Sequence, residues 1–202
     1  MGGLDDLRKG MLRTPRDPFK TFSDDPLRIL RAARFAGRFG FQVDEAISAA
    51  AQSPAIQQDL SSKVSRERMG IEVGKMLQTY RASFISFQLL CQQWGLRRIV
   101  FEVAPQFEPA PVAEIGLVPL QAIEPKGADA EDKALTARCL EGMRLVHEEV
   151  LRGAYAFSPD EASTLLLAAF LIPYHGYRVE VKKGRYASLV WYVVRESLRV
   201  SE

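Results

Sequence analysis

Apolar positions recur at helical spacing along most of this chain. In "FSDDPLRILRAARFAGRFGF", residues 22 to 41, a rotation of about 100° per residue puts Ile29, Ala32, Ala33, Ala36 and Phe39 on one side. Arg28, Arg31, Arg34 and Arg38 fall on the other side. Ser23 to Asp25 can cap that helix, Pro26 suits a first turn, and Gly40 suits a stop. "DEAISAAAQS" predicts a second helix capped at Asp44, and "VSRERMGIEVGKMLQ" a third capped at Ser65. "RASFISFQLLCQQWGL" predicts a fourth that ends at Gly95. Helices resume over 131–152, over 158–172 behind a Ser-Pro-Asp-Glu start, and over 185–199.

Three stretches break this pattern. Residues 1–16 read as a short strand left from a sheet whose neighbours lie elsewhere, because one strand has no stability of its own. "RTPRDPFKTF", with Pro15 and Pro18, reads as an extended connector. Residues 101–130 carry Pro105, Pro109, Pro111, Pro119 and Pro125 among acids, which favours a loop. The expected fold is all-α after residue 23, with helical regions at 17–100 and 131–202 and a β remnant at 1–16.

Composition narrows the function classes. A hydrophobic fraction of 47% supports a packed core. Two cysteines, Cys91 and Cys139, are too few for a disulfide framework or a Cys-rich zinc site. His147 and His175 lie in no metal-binding spacing, and no apolar run reaches membrane-spanning length, so no membrane partner is expected. The net charge of +2 hides an uneven distribution. Residues 8–38 hold nine Lys or Arg, residues 178–199 hold six, and 102–132 is acidic. Local basicity of this kind fits a polyanionic partner or a solvated face.

Asp25 and Arg28 carry the most specific chemistry. Three residues apart on a helix, they would share a face. The carboxylate offers acceptors and the guanidinium a rigid fork of donors. Together they can meet the hydrogen-bonding edge of cytosine or adenine, taking the amino donor and satisfying the ring acceptors. The same spacing also suits a local ion pair. The arginine row can bind phosphates or pack its stems on neighbours. In "VSRERMGIEV", pairings among Arg66, Glu67, Arg68 and Glu72 stabilise a helix modestly.

These motifs, in this order, resemble the CCA-adding tRNA nucleotidyltransferases of the bacterial and eukaryotic class. The family's template motif, an acid followed by Asp-x-x-Arg, matches Asp24, Asp25 and Arg28. "LRAARFAGRFGF" matches the pattern that follows, and Ser65, Glu67 and Arg68 match a neck motif. The likeness is strong over residues 2 to about 100 and looser over 131–199. It implies a helical neck and body, with the N-terminal β remnant belonging to a head domain that lies outside this chain. It also implies that Asp24, Asp25, Arg28, Arg31 and Arg34 bind the incoming CTP or ATP, supported by Glu67 and Arg68. Arg38, Lys182, Lys183 and Arg185, with Arg178 beside them, would meet tRNA phosphates.

One departure is large. The family's metal-holding Asp-x-Asp and its Arg-Arg-Asp motif are missing, and Asp5 and Asp6, adjacent on a strand, would point to opposite faces. The resemblance therefore implies a fragment, or one half of a split enzyme, with no catalytic or metal-ligating residue of its own. Magnesium would be bound by a head domain, which could be a separate polypeptide. A bacterial-type poly(A) polymerase and a non-enzymatic helical RNA-binding module stay open as alternatives. The family admits cytoplasm, mitochondrion, plastid and nucleus.

Overall fold

Local capping chemistry sets most of the helix starts in the computed structural model, which describes residues 2–103, 108–109, 129–153, 156–183 and 185–199. Asp17 accepts from the Lys20 N–H to open α2 (Pro18–Asp24), Asp44 accepts from Ala46 to open α4 (Glu45–Gln52), and Ser65 accepts from Arg68 to open α6 (Arg66–Gln78). Ser158 and Glu161 form a reciprocal capping box. That box opens the helix Pro159–Leu171, here α10. The other helices are α1 (Gly3–Lys9), α3 (Arg28–Phe39), α5 (Pro54–Lys63), α7 (Tyr80–Phe87), α8 (Arg97–Val100), α9 (Asp129–Arg152) and α11 (Leu189–Tyr192). Helix α7 runs on as a π-helical turn, Gln88–Gln93, and α11 as another, Val193–Ser197.

The largely helical architecture matches expectation, and three local readings change. Residues 3–9 form a helix rather than a strand, with Asp5 and Asp6 in its first turn, Arg8 and Lys9 in its last, and Gly10 turning left-handed at φ 62°. Asp5 and Asp6 therefore sit on an exposed helix. The strand content nearby is only β1 (Met11–Leu12), paired in parallel with β2 (Gln42–Val43). The double-proline stretch is helical from Pro18, because Pro18 occupies the first helical position behind its Asp17 cap. The segment expected as a helix over 185–199 opens as a strand. β4 (Tyr177–Lys182) and β5 (Arg185–Ser188) make an antiparallel hairpin, with β3 (Glu108–Pro109) on its other edge. Most of the 101–130 loop lies outside the described residues.

Packing joins the two helical regions through one apolar cluster that runs from Phe22 to Leu198. Helix α3 packs on α6 and α7, α9 packs on α7 and α10, and α10 also meets α6. Phe87, Phe101 and Phe170 meet ring to ring at 4.6 to 5.6 Å. Beside them Arg97, only 4% exposed, bonds Asp132, Thr136 and the Tyr174 hydroxyl, tying α8 to α9 and to the turn after α10. Burial pushes the Tyr174 hydroxyl up and the Cys139 thiol up to about 12. It raises the Cys91 thiol as well, so neither cysteine is a thiolate nucleophile.

Gly70 marks the closest approach. A Cβ there would fall 1.6 Å from the Leu198 carbonyl oxygen, so α6 and the segment after α11 touch backbone to backbone. Gly74, one turn on, has nothing within 4 Å. Gly70→Ala is expected to lower stability by about 1–3 kcal/mol through overpacking. Gly74→Ala is expected to be neutral or slightly stabilising, by up to about 1 kcal/mol. Urea unfolding midpoints of the two variants check this.

Candidate functional site

The helix α3 stops short of Asp25, and this shapes the site. Asp25 caps the C-terminus of α2 in extended conformation (φ −149°, ψ 95°), Pro26 and Leu27 make a turn, and α3 begins at Arg28. The Asp25 carboxylate accepts from the Leu27 N–H at 3.3 Å and so sits at the positive end of α3. Asp25 and Arg28 thus meet across a helix–turn–helix junction rather than along one helix. The Arg28 Nε lies 3.8 Å from Asp25 Oδ2, and its Nη1 donates to the Thr21 carbonyl at 3.1 Å. Neither side chain is sealed in packing: Asp25 is 34% and Arg28 48% exposed.

Both line a cleft of about 700 Å³. Asp24 and Arg31 share its wall, with Phe35 at one side. Arg13 and Arg16 complete it, and neither was singled out from sequence. Their only signal was membership of the basic 8–38 stretch. Arg13 is held in place, with Nη1 3.0 Å from Asp6 and Nε 2.8 Å from Asp44. The hydrogen bond from Arg13 holds the Asp44 carboxyl below its ordinary value, helped by the Ala46 N–H. Four arginines against two aspartates make the cleft electropositive, which favours a polyanion such as a triphosphate.

Other expected site residues sit elsewhere. Arg34 is a correction: it is 8% exposed and does not line the cleft. Its Nε donates to Glu72 Oε2 at 2.8 Å, and Lys75 donates to Glu72 Oε1 at 3.0 Å. Arg34 lies at the edge of the arginine arc, where α6 reaches it. Burial pushes the Glu72 carboxyl up, and the bonds from Lys75 and Arg34 pull it down further, leaving it below its usual value. Glu67 is exposed in the first turn of α6, while Arg68 reaches across to Asp25 at 3.4 Å. Arg66, which carried no role from sequence beyond helix pairing, donates to the Ile99, Val100 and Ser197 carbonyls at 2.7 to 3.0 Å. Arg38 is exposed beside Phe39. Lys182, Lys183 and Arg185 are exposed on the β4–β5 hairpin and contribute nothing to the cleft lining.

Among the described residues, no group of three His, Cys, Asp or Glu could hold a metal ion. The two cleft carboxylates do not make a ligand pair either, because Asp25 already faces Arg28, Arg68 and the Leu27 N–H. No described helix is long and apolar enough to cross a membrane.

A helical module presenting an acid and an arginine at a cleft is the class that fold and site define, and comparison with known proteins shows what the chain is similar to. The chain is 32% identical to Schizosaccharomyces pombe tRNA nucleotidyltransferase cca2 over 184 residues, 91% of this chain and 33% of that protein. It is 43% identical over 99 residues to the mitochondrial CCA tRNA nucleotidyltransferase of Saccharomyces cerevisiae, covering 49% of this chain and 18% of the relative. It is 51% identical over 76 residues to nucleotidyltransferase lcsQ of Purpureocillium lilacinum, 38% of this chain and 13% of the relative. No family model matches. The chain is thus similar to CCA-adding tRNA nucleotidyltransferases, which are transferases, and it spans a third or less of the length of these three relatives.

The buried pair that fixes α3 on α6 gives a pH test. Because the Glu72 carboxyl is lowered in the folded state, its contribution is fully present above the unfolded value of 4.5. It is lost as pH falls through the lowered folded value. Glu72→Gln is expected to cost about 3–5 kcal/mol at neutral pH by stranding Arg34. The gap from wild type should close as the pH drops below that range, as followed by chemical denaturation across a pH series.

Proposed function

We propose that this chain supplies base selection and RNA contact to a CCA-adding tRNA nucleotidyltransferase. The observation that carries it is the half-exposed Asp25–Arg28 pair at the turn into α3, in the wall of the arginine-lined cleft. Asp25, steadied by Arg68, would accept from the amino group of cytosine or adenine. Arg28 would donate to the ring acceptors. Arg31, Arg13 and Arg16 would neutralise the triphosphate, and Asp24 would border the base. Arg34 would act indirectly, holding α3 against α6.

CTP and ATP are the proposed nucleotides and tRNA the acceptor. Arg38 and the hairpin cations Lys182, Lys183 and Arg185 would meet its phosphates, with the strong salt dependence such contacts bring. Magnesium would supply Lewis-acid assistance to phosphoryl transfer. The described residues offer no ligand group that fits it, so the ligands are assigned to a head domain, in the same or a separate polypeptide. The mitochondrial designation of the yeast relative makes the mitochondrion a proposed site of action alongside the cytoplasm.

Two measurements test this. The chain by itself, given magnesium, labelled CTP or ATP and tRNA lacking CCA, is expected to incorporate no nucleotide; robust turnover would refute the assignment of catalysis to a head. In a chimera where the chain replaces the matching segment of the S. pombe relative, Arg28→Ala is expected to cut discrimination for CTP and ATP over UTP and GTP. A base contact of this kind is worth about 1–3 kcal/mol, or roughly 5- to 150-fold. Unchanged discrimination would end the base-reading role.

A further inference from the structure

The C-terminal half of α3 builds a feature that base selection does not use. Phe35 lines the cleft, and its ring stacks on Phe39 one turn later, centroids 5.9 Å apart and planes 17° from parallel. Gly40 then turns the chain left-handed at φ 65°, a conformation that favours glycine, and brings Phe41 back onto Phe39 at 5.5 Å. Three rings therefore follow one another in contact from the cleft wall, Phe35 to Phe39 to Phe41. Phe39, in the middle, is 53% exposed.

Cations accompany the rings. The Arg38 guanidinium lies 5.5 Å from the Phe39 centroid, and Arg31 lies 6.0 Å from Phe35. Both arginines are exposed. Arg38 also places positive charge in the last turn of α3, where the helix end would otherwise repel an anion. Arginines held beside the rings add positive charge and cation–π attraction to this face. Exposed aromatic rings interleaved with guanidinium groups suit bases stacked in succession with phosphates alongside.

We infer that Phe39 and Phe41, with Arg31 and Arg38, form a stacking track for single-stranded nucleic acid that leads to the cleft through Phe35. The inference rests on the proposed RNA substrate and adds a path for the unpaired strand. It calls for an exposed ring with aromatic neighbours and a guanidinium close by, and Phe39 has both: Phe35 stacked on it, Phe41 tilted against it and Arg38 5.5 Å from its centroid.

The test is fluorescence anisotropy of the 202-residue chain with a labelled single-stranded RNA octamer, and with a blunt RNA hairpin as the paired control. Phe39→Ala and Phe39→Leu are expected to weaken octamer binding about 5- to 150-fold and to leave hairpin binding unchanged. Phe39→Trp is expected to preserve octamer binding, with its indole emission quenched on addition of RNA. Unfolding midpoints close to wild type show that the exposed position has not disturbed the fold. Octamer affinity unchanged in Phe39→Ala would overturn the track. So would full affinity in Phe39→Leu, which would mean apolar contact with another protein surface rather than stacking. Failure of the base-reading role is separable. In that case Arg28→Ala leaves nucleotide discrimination intact in the chimera while Phe39→Ala still loses the octamer.

Discussion

The contact between Arg34 and Glu72 fixes where everything else stands. It crosses 38 residues of sequence, buries two opposite charges at 2.8 Å, and draws in Lys75 as a second donor. A buried charge is tolerated only when its partner and hydrogen bonds are in place. Helix α3 can therefore sit on α6 in one rotation and at one height. That setting points Arg28 and Arg31 into the cleft and turns Arg34 away from it. It also brings the first turn of α6 close enough for Arg68 to reach Asp25.

Around that pair the molecule separates holding from reading. Arg66, Arg97 and Arg34 are buried or half-buried, and their donors are spent on backbone carbonyls, hydroxyls and carboxylates. Arg28, Arg31 and Arg38 stay exposed on the outer face of α3. A guanidinium serves both purposes because its planar fork is always charged and rigid. The chemistry of a given arginine here is decided by which element faces it. The Asp25 carboxylate sits between the two groups, fixed from below by Leu27 and Arg68 yet open on the cleft side.

Much of this was legible in sequence where the determinant is local. The caps at Asp44, Ser65 and Ser158 act within three residues, and the helices they open were read correctly. The Asp25–Arg28 pair was legible as chemistry, although the turn at Pro26 and Leu27 was read as helix. Arg34 was misplaced because its partner lies 38 residues on, and helical periodicity says nothing about which neighbour fills the edge of an arc. Residues 1–16 were read as holding a short strand and no helix, although the acids, bases and Gly10 over 5–10 are helix signals. The Asp17–Pro18 start was overlooked because two nearby prolines suggested an extended chain. The β4–β5 hairpin was missed because its strands, six and four residues long, give only a short alternating run.

The meeting of Gly70 with the Leu198 carbonyl oxygen has a consequence for how the chain acquires its shape. Helix α6 cannot complete its surroundings from nearby sequence, since the backbone that lies against it arrives 128 residues later. Contacts of such long separation form late, after the entropy of closing the intervening chain has been met. During synthesis, the helix carrying Glu72 and Arg68 would wait with one side bare until residues 189–198 had emerged. A ribosome that paused within the acidic, proline-rich stretch would prolong that exposure, and chaperone dependence should rise with it.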